Sequence, residues 1–203
     1  MSIPDDPVEF LRETVPSLAA KGVEELAKDA EKAADLDKAD RLFRVRYAGE
    51  DGTDVYLRFA GRKLTVLEAP DRGTPLAAIS LPIETARDLH ERALDAGTLA
   101  RPQIPARLAR ALSHPRLARI EGERIRLQLV VADGPSGDDI VVDVALGGAD
   151  LDAKPECVAK IVYDDLEEAR KAGRSPKDLL TGGKVKLTGD ATRVMQLGMK
   201  MMS

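Results

Sequence analysis

Two stretches of this chain carry the same succession of elements, and any fold must accommodate both. The first runs from Leu42 to Gly97, the second from Arg124 to Gly173. Each opens with an alternating strand, Phe43 to Tyr47 in one and Ile125 to Val131 in the other. Each then reaches a Gly/Asp-rich hairpin turn, Glu50-Asp51-Gly52 against Asp133-Gly134-Pro135-Ser136-Gly137. A second strand follows, Asp54 to Leu57 matching Asp139 to Val142. After a glycine turn and a polar link comes a third, Ala77 to Leu81 matching Ala159 to Tyr163. Each stretch closes on a helix that stops at Ala-Gly, as glycine just past a last turn dictates. The pattern reads as a tandem duplication, with halves at 1–100 and 101–203 and a proline-bearing linker from Thr98 to Pro105.

Helical sequence precedes both strand blocks. Asp6-Pro7 starts the first helix, with Val8, Leu11, Val15, Leu18, Ala19 and Leu26 on one face and a break expected at Pro16. The second helix, Pro105 to Ala118, turns Leu108, Ala111, Leu112 and Leu117 inward and Arg107, Arg110 and Arg119 outward. Only the second half continues into a closing strand and helix, Lys184 to Met202, so the first half reads as truncated. That last helix holds four of the five methionines. Methionine is flexible and polarizable, which suits an adaptable lid on an apolar cavity. The same spacing equally describes a helix docked on its own core.

Three Phe, three Tyr and no Trp leave few platforms for stacking bases or sugars. A net charge of −4 argues against general nucleic-acid binding, so no nucleic-acid partner is expected. Charge is uneven, however: Arg101 to Arg126 holds seven arginines against Glu121 and Glu123. Such a patch either meets a transient anionic membrane surface or forms a solvated helix face. Cys157 is the lone cysteine, which points to a reducing cytoplasm. No apolar run reaches transmembrane length, and the acidic opening MSIPDDPVEF is not expected to act as a signal peptide. Neither the second residue, Ser2, nor the closing Met-Met-Ser reads as a lipidation signal.

The segment from Ser175 to Asp190, SPKDLLTGGKVKLTGD, resembles the motif that precedes the last helix in the sterol carrier protein 2 family. The likeness covers Pro105 to Ser203 well and Asp6 to Gly97 only through element order. It implies an α+β fold, with an antiparallel or mixed sheet covered by helices, here as two related halves. It also implies a non-catalytic lipid-binding module that holds a fatty acyl chain, acyl-CoA or sterol in a hydrophobic tunnel. The alternative is an accessory interaction module of the same fold with its cavity filled.

Strand alternation assigns inward positions. Ile125, Leu127, Leu129 and Val131 face one way, with Arg126 and Gln128 opposite. Ile140, Val142, Val144 and Leu146 point in while Asp143 points out. Cys157, Ala159, Ile161, Tyr163, Val185 and Leu187 also point in. On the last helix Ala191, Val194, Met195, Gly198, Met199 and Met202 share a face, away from Arg193, Gln196 and Lys200. The resemblance makes Leu127, Leu129, Val131, Val142, Val144, Ile161, Leu166, Leu179, Leu180, Leu187, Val194, Met195, Met199 and Met202 the expected lipid-binding residues. Each buried CH₂ gains about 0.8 kcal/mol, so a long chain needs no polar contact to bind.

Catalytic patterns are not found. His90 and His114 stand apart, His90 reading as a solvated helix residue and His114 as a cap. Cys157 reads as a small buried hydrophobe. Thr181-Gly182-Gly183-Lys184 precedes a strand and lacks the features of a phosphate loop. Asp138-Asp139 and Asp164-Asp165 sit where acids cap backbone N–H groups. Neither an enzyme nor a metal or other cofactor is expected.

Overall fold

The computed structural model describes residues 3–50, 52–135 and 137–202, so Asp51 and Ser136 of the two hairpin turns lie outside it. Asp6 caps α1 (Pro7–Glu9), its Oδ1 accepting from the N–H groups of Val8 at 2.8 Å and Glu9 at 2.9 Å. The expected break at Pro16 does not occur. A π-helical turn (Phe10–Thr14) leads directly into α2 (Val15–Leu26). The wider turn opens the backbone ladder just ahead of Pro16, whose ring cannot sit in an ordinary helix interior. Asp29 caps α3 (Ala30–Lys38), a short helix the sequence pattern does not announce.

The sheet begins with β1 (Asp40–Ala48), β2 (Thr53–Ala60), β3 (Lys63–Leu67) and β4 (Ala77–Pro82), then α4 (Ile83–Asp95). α5 (Ile104–Ser113) and a 3₁₀ turn (Pro115–Ile120) lead to β5 (Ile125–Ala132), β6 (Ile140–Leu146) and β7 (Cys157–Val162). The chain finishes with α6 (Tyr163–Lys171), α7 (Pro176–Thr181), β8 (Lys186–Gly189) and α8 (Ala191–Met202). β3 escapes the sequence reading because five residues give too short an alternation to separate from a polar link.

All eight strands form one mixed sheet in the order β3-β2-β1-β4-β6-β5-β7-β8. β1 pairs antiparallel with β2 and parallel with β4, and β5 pairs antiparallel with β6 and parallel with β7. An antiparallel β4–β6 pairing joins these two blocks, from Ala77 opposite Leu146 to Ser80 opposite Asp143. The position beside β7 that β8 fills is filled beside β4 by β6.

The main core lies between the first block and its helices. Val45, Tyr47, Val55, Leu57, Phe59 and Leu64 meet Val15, Ala19 and Val23 of α2 and Ala109 and Leu112 of α5. α5 follows the linker, yet it packs on α2 over the first block. Gly22 permits that approach: a Cβ there would stand 2.0 Å from the Pro105 carbonyl oxygen and 2.9 Å from Ala109 Cβ. Alanine in place of glycine ordinarily strengthens a helix by about 1 kcal/mol. We expect Gly22→Ala to do the reverse, lowering stability by on the order of 2 kcal/mol through a clash with backbone. Urea unfolding measures the sign, and a stabilised variant would contradict this helix packing.

Candidate functional site

Strand register sorts side chains onto two faces, because directly paired residues project to the same side. Val45 pairs with Ile79, Ile79 with Val144, Val144 with Leu127 and Leu127 with Cys157. Leu129, Val131, Val142, Ile161 and Leu187 therefore share the face that carries the main core. Over the first block α2 and α5 cover that face. Beyond β4 the cover is partial: Ile125 and Cys157 on this face are buried, and others stand open. Ile79 at the seam is 39% exposed and Leu129, expected inward and buried, is 42% exposed. Leu127, Val131, Val142, Val144, Ile161 and Leu187 are all only half-buried.

One end of this second face is closed. Leu76, Ile120, Ile125 and Leu197 form a small cluster, joined by Leu117, Leu127 and Leu146. Leu197 of α8 is the anchor, at 6% exposure, and the sequence reading missed it. Met195 and Met199, expected inward, are instead 53% and 58% exposed. The reason is rotational. α8 packs on the 3₁₀ turn through the face bearing Leu197, with Val194 half-buried beside it, which swings Met195 and Met199 outward. Polar contacts fix that rotation: Arg193 reaches Glu156 at 2.5 Å and the Glu123 carbonyl at 2.6 Å, and Lys200 meets the Glu123 carboxylate. The side chain of Met202 lies outside the described residues. Leu179 is buried, Leu166 half-buried and Leu180 exposed.

The motif ahead of α8 is structural. Ser175 and Asp178 form a capping box on α7. Lys184 pairs with Asp165 at the start of α6, 2.6 Å away. Gly189 has φ +98°, and a Cβ there would stand 2.2 Å from the Glu156 carbonyl oxygen. Asp190 then caps α8, accepting from the Arg193 N–H at 3.0 Å.

The opposite face is polar and ion-paired. Arg126, expected outward, is buried: it donates to the carbonyls of Leu151 and Leu127 and pairs with Asp143 at 2.9 Å. The loop after β6 folds over it and supplies Leu151 against Ala78 and Ala145. Next to it, Arg44 holds Asp54 through two hydrogen bonds, 2.9 and 2.6 Å, and Arg46 spans from Asp54 to Asp152. These arginines, Arg44 first, keep the Asp54 carboxyl below its ordinary range.

His90 is not the solvated residue expected. It is buried against Phe10, with Nε2 2.7 Å from the Pro4 carbonyl oxygen. His114 Nδ1 accepts from the Arg116 N–H at 3.2 Å and caps the 3₁₀ turn. Cys157 is buried, and burial pushes its thiol up from the ordinary value. Among the described residues no group of three or more His, Cys, Asp or Glu is arranged to hold a metal ion. No described helix is long and apolar enough to cross a membrane.

Four surface clefts, of about 170 to 420 Å³, are lined by other residues than the expected lipid-binding set. The candidate site is accordingly the open apolar face from Ile79 across Val144, Leu129 and Ile161, bordered by α8. It can bury hydrocarbon.

No protein-family model matches the chain, and no curated protein matches it. Among solved structures, it is similar to one titled UbiJ-SCP2 ubiquinone synthesis protein at 12% identity, over 99% of this chain and 95% of that one, with a TM-score of 0.24. It is also similar to the apo form of Sterol Carrier Protein 2 from Yarrowia lipolytica at 10% identity, over the same shares, with a TM-score of 0.21. Superpositions this loose carry no weight for fold or function, which rest here on the strand pairings and the exposed face.

The Asp54 pair yields a pH dependence. Its folded pKa lies below the unfolded value, so its contribution is complete above the ordinary carboxylate pKa and disappears as pH falls through the folded one. Asp54→Asn should cost roughly 1 kcal/mol at pH 7, and the gap from the parent should persist down to about pH 4 and close only as pH falls further through the folded pKa. Urea titrations at pH 7 and at about pH 2 check this, and a gap unchanged between them would contradict it.

Proposed function

We propose that the chain is a non-catalytic lipid-binding protein that lays a fatty acyl chain or similar hydrocarbon along the open apolar face of β4, β6, β5 and β7. The observation that carries the reading is the exposure of Ile79 and Leu129 in neighbouring cross-strand rows of apolar side chains on one sheet face. Soluble chains rarely leave such a row uncovered unless something binds to it. Met195 and Met199 stand outward on α8, where flexible thioethers adapt to a chain of variable shape. A non-catalytic role is supported by both histidines being engaged with backbone, His90 with Pro4 and His114 with Arg116.

The motif from Ser175 to Asp190 supports membership of the sterol carrier protein 2 family. The matching pairings of β2-β1-β4 and β6-β5-β7 support two related halves that meet at β4 and β6. In this reading the first half has its face filled by α2 and α5, and the second half, from about residue 101, binds. The lone cysteine is consistent with a cytoplasmic role. Arg101, Arg107 and Arg110 are exposed near the start of the second half and would meet anionic lipid transiently during loading.

A second reading is favoured by the openness of the same face. A partner protein could cover Ile79 and Leu129 in place of lipid, leaving an accessory interaction module.

Leu129→Asp places a charge on the face at an exposed position, so stability should change by less than about 1 kcal/mol. Binding of a fluorescent acyl probe should weaken at least about tenfold. Uptake of the probe from vesicles should be faster with anionic than with neutral lipid, and slower in high salt. A parent protein that binds no probe at micromolar concentration would favour the interaction module. A variant with unchanged affinity would remove the sheet face as the site.

A further inference from the structure

At the junction of the two blocks lies a cleft of about 380 Å³ lined by Lys38, Arg41, Thr74, Glu121 and Arg124, with Leu76 in its wall. Arg41 is half-buried on the core side of β1, donating one bond, from Nη1 to the Leu112 carbonyl at 2.9 Å. Burial pulls its pKa down from the ordinary value, and the charges of Asp35 and Glu121 only partly offset this. Elsewhere several buried and half-buried arginines are held by carboxylates, Arg44 by Asp54, Arg58 by Asp40 and Asp71, and Arg126 by Asp143, while half-buried Arg116, like Arg41, has none at ion-pair distance among the described residues. Among the described residues Lys38, Arg41 and Arg124 have no carboxylate at ion-pair distance. Asp40 also lines the cleft, but Arg58 and Arg72 already hold it.

Lys38, Arg41 and Arg124 outnumber Asp40 and Glu121 round the cleft, and Asp40 is already held by Arg58 and Arg72, so an added anion would meet an excess of positive charge beside a half-buried guanidinium. We propose that this cleft binds an oxyanion of the phosphate or carboxylate type, clamped by Arg41 and flanked by Lys38 and Arg124. A guanidinium fork suits a two-oxygen anion, and the Thr74 hydroxyl is available as a further donor. Glu121 is the internal competitor, the one cleft carboxylate without an arginine or lysine partner. Leu76 lines the cleft and also packs in the cluster with Ile125, Leu127 and Leu197. The anion site thus abuts the closed end of the apolar face, so the oxyanion is either free or the head of an amphiphile. The site does not require that the sheet face binds lipid.

Calorimetric titration of the full chain with inorganic phosphate, dodecyl phosphate and dodecanol separates these cases. Arg124 sits at φ +49°, where glycine is at ease, so Arg124→Gly removes the charge without straining the fold. Paired with Lys38→Gln, it should weaken phosphate binding about tenfold, and Glu121→Gln should strengthen it a few-fold. Equal affinity for the two phosphates identifies a free anion, and a large preference for dodecyl phosphate identifies a headgroup. Leu129→Asp should abolish dodecanol binding yet leave inorganic phosphate binding intact. The proposal is overturned if neither phosphate binds, or if dodecyl phosphate binds no better than dodecanol and is indifferent to all three charge substitutions.

Discussion

Four residue pairs, from Ala77 opposite Leu146 to Ser80 opposite Asp143, join two strand blocks into one sheet, and this seam sets the face on which each later side chain lies. Because the pairing is in register, the apolar positions of β5, β6 and β7 continue the face that carries the main core. A slip of one residue at the seam would send Leu127, Leu129 and Val144 to the other side, and Arg126 to this one. The buried Arg126–Asp143 pair resists that slip. It satisfies a charge that only the loop side of the sheet can accommodate, with the Leu151 carbonyl as a further acceptor.

The seam also determines where helices run short. α2 and α5 pack against each other through Gly22 and both cover the first block. α5 precedes β5 in sequence but is spent on the first block's core, so the second block has α8 at one end and little else. Apolar side chains left half-exposed in this way represent unrealised burial, at about 25 cal/mol per Å² of surface that a bound chain could remove from water. Under the proposed lipid-binding function, a hydrocarbon ligand would supply the missing cover without needing a polar contact. α8, held by Leu197 on one side and by Arg193 and Lys200 on others, leaves Met195 and Met199 at the surface.

Much of the sheet could be read from the chain. Alternation along Ile125 to Val131 and Ile140 to Leu146 gave the correct same-face sets, since strand geometry allows only one assignment once a register exists. Burial could not be read that way. Leu129 looks like a core residue by pattern and stands exposed, while α5, the helix preceding its strand, is engaged with α2. Met195 and Met199 were placed inward by a broad 3.6-residue pattern, but the choice between that arc and Leu197 depends on contacts with Ile120 and Glu123, some 70 residues away. His90 owes its burial to Phe10 and the Pro4 carbonyl, partners that no local spacing reveals. The Ser175 to Asp190 motif was visible, and its role is to turn the chain tightly past Glu156 and cap α8.

Mass spectrometry of freshly purified protein, under native conditions and again after organic extraction, tests the lipid-binding account most directly. The account predicts a discrete adduct in the native spectrum that disappears on extraction and is recovered as a lipid bearing a long hydrocarbon chain. A native mass equal to that of the bare chain, unchanged after incubation with acyl chains, would contradict it and assign the exposed face to a protein partner.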